Sequence, residues 1–116
     1  MKFLNKKQIL EAEDRKVVQV EVPEWGGTVR IKELDAWGRS QWDILTLKFE
    51  NNEIKRDRTI QGAALVAFSV VDEDGKPIFT PEDVEALNQK NGDVIQRLFS
   101  VAYQLSFPSV DETAKN

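Results

Sequence analysis

The residues best placed for chemistry in this chain are three consecutive acids, Asp72, Glu73 and Asp74, followed at once by Gly75. Such a run invites a calcium loop, which needs oxygen ligands at alternate positions, a glycine at the sixth and a glutamate at the twelfth. Here Lys76 and Pro77 follow the glycine, so the run reads as a structural turn and no metal site is expected. Paired carboxylates working as acid and base need neighbours that split their pKa values, and acids in a solvated turn lack them. Lys48, Lys55, Arg56 and Arg58 form a basic run, but Glu50, Glu53 and Asp57 interleave it, which describes a solvated face rather than a phosphate track. Gly26-Gly27 has neither the Gly-Lys-Ser/Thr sequence nor the following helix of a phosphate-binding loop. The chain contains no cysteine and no histidine, which removes disulfides, thiolate nucleophiles, imidazole bases and the usual ligands of zinc, copper and iron. We therefore expect no catalytic residue and no cofactor, and the chain is not expected to be an enzyme.

Large aromatic residues are the remaining candidates, as contacts rather than reagents. Trp25 stands beside Gly26 and Gly27 at what reads as a hairpin tip. There it serves either as an interface anchor, a role in which tryptophan is enriched, or as a lid folded back on the core. Trp37 and Trp42 fall on one helix and read first as core or edge packing. Trp25, Trp37 and Phe49 are the candidate partner-binding residues.

The elements that must position them follow from periodicity. Asn5 can cap a short helix, with Gln8 at its third position and Leu4 and Ile9 as a hydrophobic staple. Val18, Val20 and Val22 alternate with polar residues, as do Val29 and Ile31, so Val18 to Ile31 reads as a hairpin with one buried face, turning at Pro23 to Gly27. Asp35 looks like the cap of a helix reaching about Glu50, with Trp42, Leu45 and Phe49 facing inward and Gly38 weakening the first turn. The polar stretch Phe49 to Arg58 reads as a loop or a frayed helix end. Ile60 to Val71 is nearly all apolar and reads as the central core helix; its last residues can instead extend, pairing Val70 and Val71 with Ile78 and Phe79 across the Asp74-Gly75 turn. Thr80, Pro81, Glu82 and Asp83 make a strong helix start, with a Phe79 to Val84 staple. A final helix carries Val94, Leu98, Val101 and Leu105 on one stripe, widened by Ile95, Phe99 and Ala102, and ends at Pro108.

These elements define an α+β fold, a small antiparallel hairpin or sheet packed against four to five helices. With 116 residues one core suffices, so residues 1–107 are expected to form a single globular domain and 108–116 a flexible tail. The composition, 41% hydrophobic and 31% charged, is too apolar for disorder and too polar for a membrane span. Met1 to Asp14 is charged throughout and lacks an apolar signal core, so the chain is expected to remain in the cytoplasm. A formal charge of −4 lacks the footprint of a nucleic-acid binder and favours protein partners.

The segments Val20 to Leu34 (VEVPEWGGTVRIKEL) and Ala64 to Leu87, the latter containing VVDEDGKPIF from Val70 to Phe79, resemble the tail assembly chaperones of long-tailed, siphovirus-type bacteriophages. The resemblance runs from about Val17 to Ser106. It implies a protein that coats the long helical tape-measure protein, keeps it soluble in the host cytoplasm, leaves as tail-tube subunits replace it, and is absent from the mature virion. It also implies a longer frameshifted product whose added domain recruits the tail-tube protein, and it leaves room for self-association. Ala114-Lys115-Asn116 is compatible with the slippery codons GCA, AAA and AAC. The alternative reading is a structural tail or head–tail connector component retained in the virion.

Overall fold

The computed structural model describes residues 1–108; apart from Pro108, the expected tail at 108–116 lies outside them. The chain opens with α1 (Lys6–Glu11). Its expected capping box is present: Asn5 Oδ1 accepts from the Gln8 amide at 2.9 Å and Gln8 Oε1 accepts from the Asn5 amide at 3.0 Å. No residue of α1 is buried, and Leu4 and Ile9, the expected staple, both lie in solvent.

β1 (Val17–Val22) and β2 (Gly27–Lys32) form the expected antiparallel hairpin, with Val20 opposite Val29 and Val18 opposite Ile31. The turn is one 3-10 turn, Pro23–Trp25, closed by Gly26 at φ 74°, a conformation glycine reaches without steric cost. Val22 and Ile31 are fully buried, and Val18, Val20 and Val29 pack against the same core. A third strand, β5 (Val70–Val71), pairs with the other edge of β2, giving the sheet order β1-β2-β5. Past the Asp72 to Gly75 turn the chain returns along β5 one residue earlier than expected: Val71 bridges Pro77, and the Ile78 amide donates to the Val70 carbonyl at 3.3 Å.

α2 (Ala36–Thr46) is capped by Asp35, whose Oδ1 accepts from the Gly38 amide at 2.7 Å. Gly38 is there for clearance. A Cβ at this position would meet Asp35 Oδ1 at 3.1 Å and Leu34 Cδ2 at 3.3 Å, so the glycine lets the cap close. The helix stops at Thr46, four residues before the expected end, and the expected loop is a second hairpin, β3 (Leu47–Glu50) with β4 (Glu53–Arg56). Asn51 and Asn52 both take positive φ, 54° and 65°. That combination is the two-residue turn whose twist matches a hairpin, and asparagine tolerates it better than most residues. The inward face of α2 is accordingly Gly38, Trp42 and Thr46. Of the expected trio only Trp42 points in; Leu45 is part-exposed and Phe49 stands on β3 in solvent.

Asp57 joins this hairpin to the core helix. Its carboxylate accepts from the Thr59 hydroxyl at 2.6 Å and the Thr59 amide at 3.0 Å, and Lys48 Nζ lies 3.0 Å away. The Thr59 hydroxyl first, then Lys48 and the Thr59 amide, lower its pKa from 3.8 to about 2. A depressed carboxylate stabilises the fold above its ordinary value and loses that contribution as pH falls through the folded one. Asp57→Asn is therefore expected to be less stable than the parent at neutral pH, with the gap closing between pH 3.8 and about 2. Urea unfolding across that range checks it, and a gap independent of pH contradicts it.

α3 (Gln61–Ser69) is the central helix, with Ala63 to Ala67 all buried. At the expected helix start a 3-10 turn, Pro81–Asp83, follows Thr80, whose amide donates to Asp83 Oδ2 at 2.8 Å, and leads into α4 (Val84–Leu87). α5 (Gly92–Ser106) begins at an Asn91 cap and presents Val94, Ile95, Leu98 and Ala102 to the core. It packs on α3 and β2, and the Ser106 hydroxyl accepts from the buried Leu34 amide at 2.9 Å. The result is the expected α+β fold: five helices, a three-stranded and a two-stranded antiparallel sheet among the described residues.

Candidate functional site

Within the acidic turn, one carboxylate is engaged by the backbone. Asp72 Oδ1 accepts from the amides of Asp74 and Lys76 at 2.8 and 3.0 Å, and the Lys76 amide is the main reason its pKa lies below the ordinary carboxylate value. Gly75, at φ 80°, completes the turn. Three of the four bases of the run are paired: Lys48 with Asp57 at 3.0 Å, Lys55 with Glu53 at 3.5 Å and Arg56 with Asp43 at 2.8 Å. Among the described residues no cluster of three metal-ligating side chains occurs, and no helix is long and apolar enough to cross a membrane.

What the surface offers is apolar. Trp25 ends as neither a buried lid nor a free anchor: it is 37% exposed, and it forms the shared wall of two depressions. One, a cleft of about 570 Å³, lies between the β1–β2 tip and the segment Val70 to Phe79. The other, of about 330 Å³, lies against Ala86 and Leu87 of α4. Lys90 Nζ sits 5.8 Å from the Trp25 ring centroid. Glu24 beside it pairs with Arg97 at 2.8 Å, which lowers the Glu24 pKa and ties the tip to α5.

Trp37 meets Phe68 edge to face, centroids 6.5 Å apart, yet remains 63% exposed. It borders a third depression, of about 220 Å³, with Phe68, Phe79 and Pro81. Phe79 lines all three depressions, so it links the surroundings of Trp25 and Trp37 into one apolar tract. Phe49 lies elsewhere. It stands on β3 opposite Ile54, and both are more than 70% exposed. The structure thus groups two of the three candidates and leaves the third on a separate hairpin. Phe79 and Ile54 were not singled out in the sequence as surface apolar residues: the first reads as a helix staple, and the second lies within a stretch read as polar. The alternation of Leu47, Phe49 and Ile54 around Asn51-Asn52 was the signal available for the second.

A fold with a hydrophobic tract at its surface and no cluster of metal-ligating side chains among the described residues has the makings of a protein-binding domain. The comparisons give the class. The family model described as phage tail assembly chaperone matches residues 5–116, and the chain belongs to that family. The resemblance carried by Val20 to Leu34 and Ala64 to Leu87 is thereby confirmed, and membership in a chaperone family implies a non-enzymatic role. A solved structure of the bacteriophage HK97 tail assembly chaperone is similar in fold, with a TM-score of 0.61, 24% identity, and 89% of this chain and 94% of that one covered. No curated protein sequence matches significantly.

Proposed function

We propose that this tail assembly chaperone binds the tape-measure protein of its phage in the host cytoplasm, keeps it soluble, and is released before the virion matures. The observation that carries this reading is family membership across residues 5–116. A tape-measure chain is long, helical and apolar, and a carrier for it needs apolar contact surface on a body with net charge. The exposed Trp25, Trp37 and Phe49 supply the first, and the formal charge of −4 supplies the second. Docking is of the helix-in-groove kind, with anchors at i, i+3, i+4 and i+7. A longer frameshifted product recruits tail-tube subunits while the folded part stays on its client.

Co-expression with a tape-measure fragment tests this. The fragment is expected in the soluble fraction with the chain and in the pellet without it. Trp37→Glu combined with Phe49→Glu, both at exposed positions and so compatible with folding, is expected to reduce the soluble yield several-fold. Equal yields with and without the chain overturn the reading. Mass spectrometry of purified virions is expected to find the chain absent; a stoichiometric amount there favours the tail or connector component instead.

A further inference from the structure

We infer that the free edge of β1 is a docking site for an extended segment of a different protein, which joins the sheet as an antiparallel strand, basic where it begins and acidic where it ends. The inference does not rest on the client reading, in which a helix lies in an apolar tract. In the order β1-β2-β5, the strand β1 has a neighbour on one side only. The Glu33 amide donates to the Lys16 carbonyl at 2.8 Å, and bonded pairs in an antiparallel ladder recur at every second residue. Val18, Val20 and Val22 therefore turn their peptide groups toward Ile31, Val29 and Gly27, their partners in register. Those of Val17, Gln19 and Glu21 point the other way. Each offers one donor and one acceptor along the open side, the arrangement with which a sheet edge binds a peptide.

The other sheet margins are covered or guarded. Beyond β5 the chain folds back on itself through Pro77 and Ile78. β3 and β4 are four residues each and carry Lys48, Glu50, Glu53, Lys55 and Arg56. Shortness, charge, proline and bulges are the usual devices that keep an edge from pairing. β1 has six residues in unbroken register, no proline, and Glu21 as its single charge. The helix before it, α1, buries no residue. The edge is thus left open in a molecule that protects its others.

Side chains along this edge define the occupant. Val18 and Val20 pack against the core yet are only partly buried, so partner residues opposite them, pointing to the same side, are apolar and β-branched. Glu21 at one end and Lys16 at the other are exposed and make no ion pair among the described residues. An antiparallel partner meets Glu21 first and Lys16 last, so it matches them with a base at its start and an acid at its end. A second β1 does not supply this pattern. Outward residues pair only with outward residues, and the register centred on Gln19 sets Glu21 against Val17 and Lys16 against Val22. Charge complementarity therefore selects a different chain.

The test uses the end-blocked peptide Lys-Val-Thr-Val-Ile-Glu, titrated to saturation into the isotope-labelled full chain and followed by NMR and amide hydrogen exchange. With peptide bound, exchange of the Val17, Gln19 and Glu21 amides is expected to slow by roughly tenfold or more. Gln19→Pro removes one outward donor and no bond to β2, so it is expected to weaken binding by about tenfold or more while the chain melts near the parent. Glu21→Lys, at an exposed position and so compatible with folding, is expected to weaken binding several-fold at low salt. Binding to that variant returns when the first residue of the peptide is glutamate instead of lysine. Saturating peptide that leaves the three amides unprotected overturns the proposal, as does binding indifferent to both Gln19→Pro and Glu21→Lys. Protection that arises without peptide and grows with chain concentration gives the edge to a second copy and overturns it as well.

Discussion

Leu98→Ala is expected to lower the stability of this chain by about 2–5 kcal/mol, the range for removing a buried leucine whose surroundings collapse only in part. Leu98 is wholly buried on α5, in one core with Val94, Ala102 and the Ala63 to Ala67 run of α3. These neighbours are mostly small and held on two packed helices, so they have little side chain with which to fill the space. At this chain length each 1 kcal/mol shifts a melting temperature by roughly 4–8 °C, so the variant should melt on the order of ten degrees or more below the parent. Gln104→Ala, on the exposed side of the same helix, is the control and should stay within about 0.5 kcal/mol. A Leu98→Ala protein that melts with the parent would falsify the inward face assigned to α5.

The face of α5 was legible because it rests on local pattern alone: a stripe at helical spacing ending at Pro108. The β1–β2 hairpin and the Thr80 helix start were legible for the same reason, alternation in one and capping chemistry in the other. The end of α2 was not. Trp42, Leu45 and Phe49 satisfy helical spacing, but the chain leaves the helix at Leu47, where Thr46 is buried and held by two hydrogen bonds. That anchoring depends on Arg56, ten residues away, which no local window contains. The edge pairing of β5 with β2 is similarly non-local. At the candidate site, sequence supplied large aromatics without their exposure. Trp42 is buried because its indole Nε1 reaches the Gln61 carbonyl at 3.1 Å, while Trp37, five residues earlier on the same helix, faces Phe68 and solvent. Which tryptophan goes inside is decided by α3, not by the spacing within α2.

Arg56→Ala is expected to cost about 2–3 kcal/mol, chiefly through the charged hydrogen bond to a buried hydroxyl. Arg56 Nη1 donates to Thr46 Oγ1 and to Asp43 Oδ1, each at 2.8 Å, and its guanidinium lies 3.8 Å over the Trp42 ring. Asp43 is half exposed, so the ion pair itself should add less than about 1 kcal/mol. The buried contacts dominate. Thr46 is fully buried; its hydroxyl donates to the Trp42 carbonyl at 2.6 Å, and Arg56 supplies its donor from the other side. Without the arginine that oxygen keeps one partner of two, and the Trp42 face loses a stacked cation worth about 0.5–2 kcal/mol. Arg56→Lys keeps the charge but not the planar fork, so it should recover only a minor part of the loss. Because Arg56 ties the end of β4 to α2, hydrogen exchange of the Lys48 to Lys55 amides should accelerate in both variants, while the α3 and α5 amides fall only with global stability. Full stability in Arg56→Lys would mean that charge alone holds the second hairpin, and an unchanged exchange rate in Arg56→Ala would mean that something other than this arginine fixes it to the domain.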